Sequence, residues 1–77
     1  MIPRIYADAN DVAEGGSFML NVAGSLEDIE RYGGRLRPGM RALFNVQGEF
    51  EVEGVLGYDE QNKMWLGRPD WKTRRDL

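Results

Sequence analysis

Between Met40 and Leu56 the side chains alternate with a period of two, interrupted by one polar turn, and this pattern constrains the fold more than any other stretch of the chain. Met40, Ala42, Phe44 and Val46 fall on one side, with Arg41, Leu43 and Asn45 on the other. After Gln47-Gly48 the apolar side continues through Phe50, Val52 and Leu56, while Glu49, Glu51 and Glu53 are placed in water. A helix would scatter these residues around its axis, whereas two half-buried strands sort them onto two faces. Gly54 occupies an inward slot of the second strand and predicts a bulge or a sharp bend.

The remaining segments supply partners for that hairpin. Ile2-Pro3-Arg4-Ile5-Tyr6-Ala7 mixes β-branched and aromatic residues and reads as a short strand, with Pro3 at its start or on an edge. Asp8 to Gly16 is a polar loop, and Ser17 to Val22 is a strand expected to run antiparallel to the first. Ser25 opens the one helix, three residues before Asp28 in a variant of the capping box. Leu26, Ile29 and Tyr32 form its apolar stripe, and Gly33-Gly34 stops it. Asp59 to Asn62 is a hairpin loop, and Lys63 to Gly67 is the returning strand, ended by Pro69. The expected core is Phe18, Leu20, Phe44, Val46, Phe50, Val52 and Leu56, capped by Leu26 and Ile29.

About five short antiparallel strands and one short helix predict a single, mostly β domain over residues 1–77, a small barrel of the SH3-like kind. An open α+β sheet with the helix on one face is the rival architecture. The segments Ile2 to Asp8, Val52-Glu53-Gly54-Val55 and Pro69-Asp70-Trp71 resemble a set of short uncharacterised bacterial proteins. That resemblance implies a free-standing protein and brings no catalytic residues with it. Leu36-Arg37-Pro38-Gly39-Met40-Arg41 is similar to the strand entry of many SH3-like barrels.

A 77-residue chain buries only about 60% of the surface its unfolded form exposes, so packing of the large rings or self-association must carry its stability. Three Phe, three Tyr and two Trp supply the rings. The chain has no cysteine and no histidine, which removes disulfides, thiolate nucleophiles, cysteine or histidine zinc sites and imidazole catalysis together. A cysteine-free chain suits a reducing cytoplasm, and no apolar run reaches the ~18 residues of a membrane span.

The charge is laid out in blocks. One arginine and six acids fall in residues 1–30, four arginines and no acid in 31–48, five acids in 49–62, and five bases against two acids in 63–77. Arg31, Arg35, Arg37 and Arg41, with the tail Lys72-Thr73-Arg74-Arg75, have the chemistry of a phosphate grip, and Tyr32, Tyr58, Trp65 and Trp71 are candidate stacking platforms. Against nucleic acid stands the overall acidity, a net charge of −3 and a pI near 4.8. Arginines solvated or paired within the chain are the plainer expectation. The Glu49-Glu51-Glu53 row reads either as a docking face for a basic partner or as the charged outer face of an edge strand.

Strand alternation turns Trp65 outward if Met64 and Leu66 face in, which beside Tyr58 and Arg68 has the composition of an interface hot spot. A two-fold dimer would bury that patch and set the glutamate row against arginines of the other copy. The alternative packs Trp65 on Trp71 beneath the tail. Asp8, Asn10, Asp11 and Glu14 have the oxygen density of a calcium loop, but Val12, Ala13 and Met19 stand where the EF-hand spacing needs a ligand, a glycine and a glutamate. The hydroxyls of Ser17, Ser25 and Thr73 have no histidine or cysteine to activate them. The expectation is therefore a cytoplasmic, non-catalytic binding or assembly module without cofactor or metal, acting on a protein partner or itself. Its candidate contact residues are Tyr58, Trp65, Arg68, Trp71, Arg35, Arg37, Arg41, Arg74 and Arg75. The alternative is a nucleic-acid-binding barrel using the Arg31–Arg41 block and the basic tail.

Overall fold

The two alternating segments become the centre of one curled sheet. A computed structural model describes residues 2–77 and orders the elements as β1 (Arg4–Ala7), β2 (Phe18–Met19), α1 (Ala23–Tyr32), β3 (Arg41–Val46), β4 (Phe50–Asp59), β5 (Met64–Pro69) and β6 (Arg75–Asp76). Single 3-10 turns stand at Gly33–Arg35 and Trp71–Thr73. The protein is mostly β, a half-barrel sheet in the order β1-β3-β4-β5-β2 with β6 added to β4.

Gln47 and Gly48 both take positive φ, 56° and 74°, which is the tight reversal that lets β3 and β4 keep their common twist. Asn45 secures it by accepting the Gly48 N–H at 2.9 Å. At the other end of β4, the Asp59 carboxylate accepts the N–H groups of Gln61 and Asn62 and shapes the loop into β5. β4 is the spine. One edge carries β3 at residues 50–55, while the other carries β6 at residues 50–51 and β5 at 54–59.

β1 departs from an all-antiparallel arrangement. It pairs parallel with β3, Ile5 opposite Phe44, and β2 pairs with β5 rather than with β1. A parallel pair needs a crossover of a dozen residues or more, and the loop, β2 and α1 between β1 and β3 provide it.

The core holds all seven residues expected from the alternation, joined by Ile5, Ala7, Leu36 and Ala42. Phe44 is its centre. Gly54 and Gly67 stand on either side because a side chain there has no room: a Cβ at Gly54 would lie 2.0 Å from the Arg68 carbonyl oxygen, and one at Gly67 would lie 2.6 Å from the Phe44 ring. The ladder runs through Gly54 without interruption, from Ala42 on one side to Pro69 on the other, so close approach and not a bulge explains this glycine.

The helix also differs from expectation. It begins two residues earlier, at Ala23, with Val22 at the cap and no side-chain capping bond. Ser25 is instead fully buried and donates its hydroxyl to the Tyr6 carbonyl. Ile29 and Tyr32 pack on the core, but Leu26 is 52% exposed and caps nothing. Gly33 ends the helix at φ 58°, as its sequence position implies.

Candidate functional site

The outer face of the sheet gathers charge around one glutamate. Asn45 of β3 and Arg75 of β6 lie opposite Glu51 on its two sides, and the Glu51 side chain is only 6% exposed. Arg75 donates to one carboxylate oxygen at 2.9 Å and Arg4 pairs with the other. The Arg75 bond, with that of Arg4 and the attraction of both charges, holds the Glu51 carboxyl below its ordinary range against the opposing effect of burial. Glu53, one residue pair along, binds Arg41 at 2.8 Å. The expected water-facing acidic row is thus corrected: β4 is an interior strand, and its two glutamates, Glu51 and Glu53, are paired within the chain, while Glu49 in the turn before it stays exposed. Ile2, Leu43 and Thr73 line a recess of about 200 Å³ beside these pairs.

The structure separates the candidate contact residues. Arg35 folds back on the carbonyls of Tyr32 and Arg31, and Arg37 on those of Gly34 and Leu36. Arg68 is exposed on β5, in register with Val55. Tyr58 and Trp65 are cross-strand partners whose rings meet edge to face at 5.1 Å. Trp65 is half-buried against the core, not outward. Gly67 faces Phe44, so Trp65, two residues earlier, shares the inner side and the alternation on β5 runs opposite to the expected phase. Nor does Trp65 pack on Trp71. Trp71 lies on Phe18 and Phe50, at 5.9 and 6.0 Å between ring centres, and stays 52% exposed.

Trp71 and Arg74 do come together. The 3-10 turn that carries Trp71 is fixed by Asp70, which accepts the Lys72 N–H, and by Thr73, whose hydroxyl accepts the Glu53 N–H. Arg74 then lies over the Phe50 ring, 4.0 Å from its centre, and binds Asp76 at 3.0 Å. An exposed indole and a guanidinium therefore share the Phe50 ring on a rigid backing.

A second groove, of about 440 Å³, was not legible in the sequence. Arg4, Tyr6 and Asn45 come from the outer face of β1 and β3, and Asp28, Arg31 and Tyr32 from α1. The signal that points to it is the spacing of Ser25, Asp28 and Tyr32, which puts three polar groups on one helix stripe. In the Asp8–Glu14 loop, Asp8 accepts the Asn10 N–H and builds a turn, and among the described residues no three carboxylates converge to hold a metal ion. No described helix is long and apolar enough to cross a membrane. No family model, curated protein or solved structure matches the chain.

Proposed function

We propose that the protein is a non-catalytic binding or assembly module that acts through protein contacts, with its partner seat centred on Trp71. The observation that carries this reading is the half-exposed Trp71 indole, held against Phe18 and Phe50 with Arg74 alongside. Tryptophan and arginine on a preordered backing are the residues on which interface energy concentrates, because little side-chain freedom remains to be lost on binding. The SH3-like and bacterial affinities implied by the sequence resemblance, and a cytoplasmic setting, belong to the same proposal.

The nucleic-acid alternative finds less support. Arg31, Arg41, Arg74 and Arg75 each pair with a carboxylate, which lowers the charge that the basic block and tail offer to phosphates.

A photo-crosslinking residue at position 71, with one at the exposed Glu27 as reference, tests the proposal in cells that express the full chain. Discrete protein adducts at 71 and none at 27 are expected, and a dimer-sized adduct would identify a second copy as the partner. Equal labelling at the two positions, or none at 71, would refute the seat. Fluorescence anisotropy with nucleic-acid probes at low salt decides the alternative, for which tight and steeply salt-dependent binding is required.

A further inference from the structure

The groove between α1 and the outer face of β1 and β3 has spent its acceptors and kept its donors. Both Asp28 oxygens are used, one by the Tyr6 N–H at 2.8 Å and the other by Arg31 at 3.0 Å. Tyr32 accepts the Arg4 N–H at 3.0 Å, which leaves its own hydroxyl proton to donate. Asn45 accepts the Gly48 N–H through its oxygen, which leaves its NH2 group. Arg4 reaches Glu51 through one terminal nitrogen and Arg31 reaches Asp28 through one, so each fork keeps most of its five N–H groups. These ion pairs orient the guanidiniums without exhausting them, and the side chains of Arg4 and Arg31 remain 54% and 70% exposed.

We infer that this groove is a binding site for a small phosphate monoester, its phosphoryl oxygens taken by Arg4 and Arg31 with the hydroxyls of Tyr6 and Tyr32 and the Asn45 amide. The unspent N–H groups of two guanidiniums with three neutral donors suit the three terminal oxygens of such a group better than the two of a carboxylate, although Asp28 and Glu51 offset the charge of Arg31 and Arg4. The volume of about 440 Å³ lies within the range of small-molecule sites. The site is independent of the contact surface around Trp71.

Titration of the isotope-labelled full chain with phenyl phosphate and inorganic phosphate, followed by NMR, tests the inference, with acetate as the single-charge reference. Saturable shifts confined to the Arg4 and Arg31 side-chain Nε–H groups and the Tyr6 amide are expected. They should be tighter for phenyl phosphate than for acetate and weakened at least tenfold in Arg31→Gln. Tyr6→Phe, which keeps the ring against Gly24, is the second variant and should weaken binding several-fold. Shifts spread equally over Arg35, Arg37, Arg68 and Arg74, equal response to acetate, or affinity unchanged in both variants would overturn it.

Discussion

Asp28 of α1 accepts the backbone N–H of Tyr6 on the outer edge of β1, at 2.8 Å. Ser25, one turn earlier, donates to the carbonyl of the same residue, and Tyr32, one turn later, accepts the N–H of Arg4. Three helix side chains thus satisfy the edge of β1 as a neighbouring strand would, which leaves no template there for pairing with another chain. The opposite end of the sheet is covered by the chain itself, where Asp11 and Ala13 pair with the backbone of Met19 and Ser17.

Ser25→Ala should destabilise the protein by about 1–3 kcal/mol, because the Tyr6 carbonyl loses its partner beneath the helix. Urea unfolding measures the loss. In Asp28→Ala, hydrogen exchange at the Tyr6 amide should accelerate well before the amides of β4. Exchange of the Tyr6 amide at its wild-type rate would mean that the helix does not guard this edge.

Three glycine-to-alanine replacements should rank by what their Cβ meets. Gly54→Ala drives a methyl onto the Arg68 backbone oxygen, so the β4–β5 ladder must part, and the cost should exceed the ~1–3 kcal/mol of ordinary overpacking. Gly67→Ala presses on the enclosed Phe44 ring and should fall within that range. Gly24→Ala meets only the half-exposed Tyr6 ring and should cost least. Thermal melts of the three would show the order.

The Glu51 carboxyl titrates below its ordinary value of 4.5 because Arg75 and Arg4 favour its charged form. Its contribution to stability is therefore complete above that value and is lost as pH falls through the lower pKa of the folded state. Unfolding free energies from pH 7 to pH 3 should decline in wild type and decline less in Glu51→Gln. Asp59, lowered by Asn62, titrates in the same direction, so Asp59→Asn supplies the background against which the Glu51 part is read.

Phe44→Ala should cost about 3–5 kcal/mol, since its ring is enclosed on every side. Leu26→Ala should change stability by no more than ~0.5 kcal/mol, because its side chain stands in water. Chemical denaturation of the pair compares them directly. A large loss at Leu26 would place it against the core.

Strands β3 and β4 and the core were legible because alternation is a local property, whereas β6, two residues long, carries no alternation to read. Phe44, Val46, Phe50 and Val52 announce an inner face whichever strands pair with them. The helix was legible as an element but not in its contacts, since Ser25 and Asp28 satisfy a capping pattern as readily as they satisfy the backbone of Tyr6. Trp65 was read on the wrong side for a related reason. Met64, Leu66 and Trp65 are all apolar, so the β5 segment carries no polar phase of its own, and Gly67 against Phe44 sets it.

From its sequence alone the chain was committed to a small, mostly β fold, with a tight reversal at Gln47-Gly48 and a helix that ends at Gly33. Those features depend on periods and torsions within a few residues. The parallel pairing of β1 with β3, the burial of Glu51 between Arg4 and Arg75, the seating of Trp71 on Phe18 and Phe50, and the donor-lined groove were decided only in three dimensions. Each joins residues 20 or more positions apart, and which distant strand or charge arrives depends on how the whole sheet curls and not on any local preference of the residues that meet.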